Sequence, residues 1–315
     1  MKNKVEVSIV VALYNEEKVI LDCFNQINSE CKTLNKKYEI IFVNDGSTDN
    51  SLEILKQIAQ QNNFVKIVNL SRNFGQRPAI MAGYKFATGN VIINMDADMQ
   101  DPASLITKFI DKWQEGFDVV LAKRKNRKGE TFFKRFSSKL YYRTFQRLTK
   151  SKTPLDCGIT RLISKKVLNH ILSMPEHNIY LAGMTEFVGF KQTYIEYDRV
   201  GRKQGNTKYT KKDLVKLAVN NIMPYSNAPI YFILKLSIFL ILSGILMLAS
   251  LATLSICKVS FISALWVIAS MLTLTGVAVL SIGIIGFYVI LSYTETLNRP
   301  KYIISETYNI GDEND

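Results

Sequence analysis

Val91-Ile92-Ile93-Asn94-Met95-Asp96-Ala97-Asp98-Met99-Gln100-Asp101-Pro102 is the stretch that decides how this chain folds. Val91 to Met95 is a short, β-branched run of the kind that forms a buried strand. Two acids one residue apart close it, and Asp101-Pro102 then predicts the opening of a helix that Gly116 closes. The same order of elements recurs on either side. Val5 to Ala12, Tyr38 to Val43, Val65 to Leu70 and Asp118 to Ala122 are further strand-like runs with helical patterns between them, and Asp49 is placed to cap the segment Ser51 to Gln60. Strands alternating with helices predict an α/β fold with a mostly parallel, doubly wound, Rossmann-like sheet covered on both faces. On such a sheet ligands bind at the carboxyl ends of the strands.

Acids stand at three of those ends. Glu16 follows the first strand, Asp45 closes the second, and Asp96 and Asp98 close the fourth. Parallel pairing gathers them on one edge although they are far apart in sequence. Two carboxylates spaced D-x-D at a strand end suit a hard divalent cation, which takes oxygen ligands and bridges a diphosphate, and Gln100 adds an amide oxygen. An isolated D-x-D tripeptide is common by chance. Its weight here comes from Val10-Val11-Ala12-Leu13-Tyr14-Asn15-Glu16-Glu17 and Val43-Asn44-Asp45-Gly46-Ser47-Thr48-Asp49 preceding it in order at strand ends.

Composition removes several other classes. No internal repeat or low-complexity tract is present. Cys23, Cys31, Cys157 and Cys257 have neither C-x-x-C spacing nor the density of a disulfide scaffold, so they read as small core residues of a reducing compartment. His170 and His177 are the only histidines, which leaves no zinc-type cluster. The formal charge of +13 is uneven, with twelve Lys or Arg between Lys123 and Lys152 against one acid, Glu130. Nucleic-acid binding is the generic reading of such a patch. Phe132, Phe133, Phe136, Leu140, Tyr141, Phe145 and Leu148 recur among these cations at helical spacing, and this favours a helix lying on an anionic bilayer; an ordinary solvated basic helix is the plain alternative.

The chain changes character after Tyr225-Ser226-Asn227. Leu236 to Ile256 and Phe261 to Leu291 carry no charge, and each exceeds the roughly 20 residues that span a bilayer core. They predict two transmembrane α-helices joined by the tight turn Cys257-Lys258-Val259-Ser260. Lys211, Lys212, Lys216, Arg299 and Lys301 flank this hairpin, so the positive-inside rule places the α/β domain and both termini in the cytoplasm, with the protein multi-pass in the cytoplasmic (inner) membrane. Met1 to Lys4 runs straight into a strand, and no cleavable signal is expected. The expected organisation is a cytoplasmic α/β domain over 1–228, a two-helix hairpin over 229–298 and a cytoplasmic tail over 299–315.

With these motifs in place the chain resembles the family 2 inverting glycosyltransferases of the polyprenyl-phosphate branch, which includes bactoprenol glucosyltransferases and dolichyl-phosphate mannose synthases. The likeness extends through Ser71-Arg72-Asn73-Phe74-Gly75, Arg124, Lys134-Arg135, Asp156, Arg161, Val188-Gly189-Phe190, Arg202 to Lys208-Tyr209 and Asn298-Arg299-Pro300. It implies a GT-A catalytic domain. Ala12, Tyr14, Glu16, Asp45 and Asp96 would surround the nucleotide-sugar donor, and Asp96, Asp98 and Gln100 would hold Mg2+ or Mn2+ against its diphosphate. Arg124, Arg135, Arg202 and Lys208 would clamp phosphate. Asp156 matches a carboxylate near the reacting centre, either catalytic or orienting an arginine. Asn44 stands where the family more often has Asp.

The activity so implied is transfer of one sugar, with UDP-glucose as donor, to undecaprenyl phosphate with inversion, giving a lipid-linked monosaccharide for cell-surface glycosylation. The donor sugar is alternatively GlcNAc, aminoarabinose or mannose. Relatives assemble through the hairpin, which implies a homo-oligomer, a tetramer being one form, with membrane and lipid rather than nucleic acid as partners. A processive polysaccharide synthase needs a Q-x-x-R-W motif, and Trp113 and Trp266 lie elsewhere. A non-catalytic nucleotide-sugar sensor or scaffold is the reading from another class, and intact Asp96 and Asp98 argue against it.

Overall fold

The computed structural model describes residues 5–125, 157–177, 179–198 and 262–310, together with isolated positions between 235 and 253 that are helical. Two compact units result. The larger includes residues up to 143, 151–208 and the segment from 299 onward; the smaller contains the apolar segment up to Asn298.

The larger unit is built on an eight-stranded sheet. In chain order its strands are β1 Val7–Leu13, β2 Tyr38–Asn44, β3 Val65–Leu70, β4 Val91–Asp96, β5 Val119–Arg124, β6 Cys157–Ser164, β7 Gln192–Tyr197 and β8 Ile304–Tyr308. They lie side by side as β7-β5-β6-β4-β1-β2-β3-β8. β1 pairs in parallel with β2 and with β4, and β2 in parallel with β3, while β6 is antiparallel to both β4 and β5. All seven residues of β1 are buried, because helices cover both faces and a strand so placed has no need of a polar side.

Alternate residues of the strands feed two cores. Val7, Ile9, Val11 and Leu13 face α1 (Ile20–Thr33), α2 (Ser51–Gln61) and α4 (Leu105–Gln114). Val10, Ala12, Ile41 and Val43 face α3 (Gln76–Phe86), α5 (Lys165–Ser173) and α6 (Leu181–Phe187). Helix α1 fits its face by burying Ile20, Cys23, Phe24, Ile27 and Cys31, the stripe expected of a 3.6-residue period. Helix α3 approaches unusually closely. A Cβ on Gly83 would lie 2.4 Å from Val10 Cγ1 and 2.9 Å from Val43 Cγ2, so only glycine lets the helix settle on β1 and β2.

Asp49 serves the start of α2 as expected: the helix begins at Ser51, and Asp49 accepts the Ser51 N–H with one oxygen (3.0 Å) and the Glu17 N–H with the other (3.2 Å). Helix α4 runs from Leu105 and is entered through a turn in which the Pro102 carbonyl accepts the Leu105 N–H at 3.0 Å, while the Asp101 carboxylate is buried and bonded to Thr160 and Tyr197. Gly116 closes α4 in the left-handed region at φ 91°.

The segment read as a tail supplies an edge strand. β8 pairs antiparallel with β3, and Asn309 donates to the carbonyls of Ala59 and Val65, each at 2.9 Å. At the amino edge of the sheet, buried Glu39 accepts from Ser8 Oγ (2.5 Å), Thr88 N (2.7 Å) and Thr88 Oγ1 (2.9 Å) and pairs with Lys66 Nζ at 2.6 Å. Burial alone would raise its carboxyl, but these bonds and the Lys66 charge hold it below the ordinary range.

In the smaller unit, α7 runs from Ile262 to Thr296. Within it Thr273–Thr296, with mean hydropathy 2.4, is long and apolar enough to cross a membrane, and it is the one such helix among the described residues. Ile282, Ile285, Val289 and Ile290 on it are exposed. Most of the first expected span, Leu236 to Ile256, lies outside the described residues, as does the basic aromatic stretch 126–156.

Gly83→Ala should lower stability by about 1 to 3 kcal/mol through overpacking against Val10, read as a lower Tm in thermal unfolding. Glu39→Gln should cost about 1 to 3 kcal/mol at neutral pH by removing the buried carboxylate that pairs with half-buried Lys66. Because the folded Glu39 carboxyl is depressed, its stabilisation is present above the unfolded pKa of about 4.3 and lost as pH falls through the folded value. The stability gap between wild type and Glu39→Gln should therefore close below about pH 4, as followed by denaturant titration at several pH values.

Candidate active site

The strand order reverses direction between β1 and β4, and it is there that an open α/β sheet leaves a crevice at its carboxyl edge. Register brings the expected site residues to that edge. Ala12 lies opposite Asp96 on one side and Val43 on the other, and Leu13 lies opposite Asn44. The Asp45 N–H donates to the Leu13 carbonyl at 2.9 Å, one rung beyond the ladder. Glu16, Asp96 and Asp98 each act on one buried group: the Cys23 thiol is pushed up to about 12, first by burial and then by the charges of Asp98, Asp96 and Glu16.

The loops after β1 and β2 clasp each other. Asn15, at φ 53°, donates its N–H to Ser47 Oγ (2.9 Å) and accepts the Thr48 N–H at its side-chain oxygen (2.8 Å). Glu16 N–H donates to Ser51 Oγ at 3.0 Å, and Asn50 N–H to Glu17 Oε2 at 3.1 Å. These reciprocal bonds hold Tyr14 and Glu16 on the rim without help from a ligand.

Asp45 has a further partner. It is 3% exposed, and its two oxygens accept the N–H groups of Phe74 (2.7 Å) and Gly75 (2.9 Å). Burial pushes its carboxyl above the ordinary aspartate range, with those two bonds and the Arg72 charge pulling the other way. Asp45 thereby anchors the loop that enters α3. Gly46 completes the contact, since at φ 65° a Cβ there would lie 2.4 Å from the Arg72 carbonyl carbon. At the start of α3, Gln76 Nε2 donates to Asp96 Oδ1 at 2.8 Å.

Between Asp96 and Gln100 the chain turns tightly, with Met99 at φ 51° and the Gln100 N–H on Asp98 Oδ1 at 3.2 Å. Asp96 and Asp98 are half-buried and Gln100 is buried. Among the described residues no three His, Cys, Asp or Glu side chains form a ready metal cage. Two carboxylates and an amide oxygen nevertheless fit a hard cation of the Mg2+ type, which takes one or two protein carboxylates and completes its shell with phosphate oxygens and water.

Arg124 ends β5 in register with Tyr197 of β7, and its Nε donates to the Tyr197 hydroxyl at 3.2 Å. Burial works against its charge, and the bond to Tyr197 with the negative potential of Tyr197, Asp101 and Asp96 more than offsets it, raising its pKa. Asp96 thus lies within electrostatic reach of Arg124. Arg135, Asp156, Arg202 and Lys208 lie outside the described residues. Three participants went unread in the sequence: Gln76, Asp101 and Tyr197. Gln76 carried no motif signal, Asp101 was taken for a helix opener, and Tyr197 lies in a strand, β7, that was not anticipated.

The family model described as Glycosyl transferase family 2 matches residues 8–172. The chain is 39% identical over 312 residues to the uncharacterized glycosyltransferase YkcC of Bacillus subtilis (strain 168), covering 98% of this chain and 96% of that one. It is 34% identical over 316 residues to the prophage bactoprenol glucosyl transferase homolog of Escherichia coli (strain K12), covering 95% and 98%. Among solved structures, glucosyl-3-phosphoglycerate synthase from Mycobacterium tuberculosis, in complex with Mn2+, UDP-glucose and phosphoglyceric acid, matches with a TM-score of 0.51 at 17% identity, over 70% of this chain and 78% of that one, a likeness of fold. A matched domain spanning β1 to α5, near full-length relatives and a mostly parallel sheet with acids at the carboxyl ends of β1, β2 and β4 lead to one conclusion: the chain belongs to glycosyl transferase family 2 and is a glycosyltransferase.

Proposed function

We propose that this glycosyltransferase moves a single sugar, glucose from UDP-glucose, onto undecaprenyl phosphate with inversion at the anomeric carbon. The observation that carries the proposal is the parallel register that sets Ala12 beside Asp96 and brings Glu16, Asp45, Asp96 and Asp98 to the carboxyl ends of β1, β2 and β4 on one edge of the sheet. The relatives named bactoprenol glucosyl transferase and the exposed apolar helix Thr273–Thr296 support a lipid acceptor.

In this reading Tyr14 stacks on the base, and Ala12, lacking a bulky side chain, leaves room beside it. Asp45 shapes the base pocket through the Phe74–Gly75 loop it anchors, and each of its oxygens keeps a second lone pair for a base or ribose donor. Glu16 and Asp96 flank the ribose. Asp96, Asp98 and Gln100 hold Mg2+ or Mn2+, which supplies neutralising charge for the departing nucleoside diphosphate. The acceptor phosphate is already anionic at neutral pH and needs no base to uncover its oxygen. That oxygen forms a bond to the anomeric carbon as the bond to the UDP oxygen breaks, UDP leaving with the electron pair.

Two anions must therefore be held in line across one carbon, and positioning and charge dominate. Arg124, with Arg135, Arg202 and Lys208, clamps the lipid phosphate, Arg giving the bidentate grip. Asp156 either acts at the reacting centre or orients one of these cations. In this reading the two apolar segments cross the cytoplasmic membrane as a hairpin, the bilayer that also carries the lipid acceptor.

Membranes carrying the protein, given labelled UDP-glucose and undecaprenyl phosphate, should form a lipid-linked glucose that EDTA abolishes and Mg2+ or Mn2+ restores. Asp98→Asn should reduce turnover by roughly 100-fold or more while the protein stays folded and membrane-bound. Near-wild-type turnover in that variant would remove the metal assignment, and a lipid product formed only from another nucleotide sugar would reassign the donor.

A further inference from the structure

A buried hydrogen-bonded chain joins the loop after β4 to the guanidinium at the end of β5. Asp101, 1% exposed, directly follows Gln100. Its Oδ2 accepts from Thr160 Oγ1 of β6 at 2.5 Å and its Oδ1 from the Tyr197 hydroxyl of β7. The Tyr197 oxygen in turn accepts Arg124 Nε at 3.2 Å. The carboxylate lies in the interior, and both hydroxyls come from strands distant in sequence, β6 and β7.

The chain leaves Arg124 in a defined state. With Nε engaged by Tyr197, the end of the planar guanidinium that carries Nη1 and Nη2 is the edge suited to a bidentate phosphate contact. Gly158 provides the space: a Cβ there would lie 3.2 Å from Arg124 Nη2. A guanidinium held by one edge loses less side-chain entropy when it grips a ligand by the other, so its affinity rises without new contacts.

We infer that Asp101 and Tyr197 are positioning residues that fix Arg124 relative to the Asp96–Gln100 loop, so that the group gripping the acceptor phosphate is set in register with the group holding the donor diphosphate. This rests on the functional reading above, in which the two loops serve opposite reactants. Coupling runs through one residue, since Asp101 is covalently next to Gln100. A shift of the loop on donor binding is transmitted to Arg124 through two hydrogen bonds.

The test uses full-length protein in detergent or membranes with UDP-glucose and undecaprenyl phosphate, varying each substrate separately. Tyr197→Phe keeps the ring and removes the hydroxyl. It should raise the acceptor KM on the order of tenfold, the loss expected for one bond to a charged group, and leave the donor KM within about twofold. In an Arg124→Lys background, which has no Nε, Tyr197→Phe should add less than about twofold. Thr160→Val removes the other donor to Asp101 without touching Arg124; it should lower Tm while shifting the acceptor KM less than Tyr197→Phe does. Equal rises in both KM values for Tyr197→Phe and Thr160→Val, or effects of Tyr197→Phe and Arg124→Lys that simply multiply, would show a merely structural role and overturn the inference. Wild-type protein that forms no lipid-linked sugar from any donor would instead overturn the functional reading, and the acceptor role of the relay with it.

Discussion

Parallel pairing of β1 with β2 on one side and β4 on the other is the constraint on which the rest of the molecule depends. A parallel ladder aligns carboxyl ends, so the register that puts Ala12 beside Asp96 and Leu13 beside Asn44 also decides that the following loops open on the same side. A slip of one residue would turn Asp96 from the crevice toward a core face and exchange the residues that feed the two cores. Complete burial of β1 makes such a slip costly, and the close seat of α3 on Val10 and Val43 at Gly83 leaves little slack.

The edge so defined is crowded with negative charge before any substrate arrives, and the fold tolerates this through donors placed around it. Asp45 is neutralised in effect by two backbone N–H groups and Arg72. Asp96 is met by the Gln76 amide and lies within the field of Arg124. Glu16 sits in a loop whose backbone is tied to Ser47 and Ser51. Hydrogen bonds from backbone N–H groups, an amide and hydroxyls thus take part in holding these acids and their loops at the edge.

The outer strands serve the same edge. β8 continues the sheet beyond β3 and sends Glu306 to Asn69, which accepts from Asn44, and the Asn44 oxygen accepts the Ser47 N–H at 3.3 Å. Asparagine at position 44, where the family more often has aspartate, can donate to Asn69 while Asn69 donates to Glu306; a carboxylate at 44 would break this direction. At the other side, β7 brings Tyr197 to Arg124 and Asp101. The rim formed by the loops after β1 and β2 and the arginine are each supported by a strand that comes late in the chain.

Local pattern was enough for the central sheet, for the strand-end placement of Glu16, Asp45, Asp96 and Asp98, and for the apolar length that α7 realises, because strand periodicity and uncharged length are properties of neighbouring residues. It was not enough for Ile304–Tyr308, whose alternating pattern becomes a strand only because β3 presents an open edge. Nor did it reveal that Asp101 turns inward to Thr160 and Tyr197, or that Asp45 anchors the Phe74–Gly75 loop. In each case a polar side chain chose between a local partner and a distant one. Sequence spells out the local option, whereas burial, which makes an unpaired carboxylate expensive, is decided only once the strands have assembled.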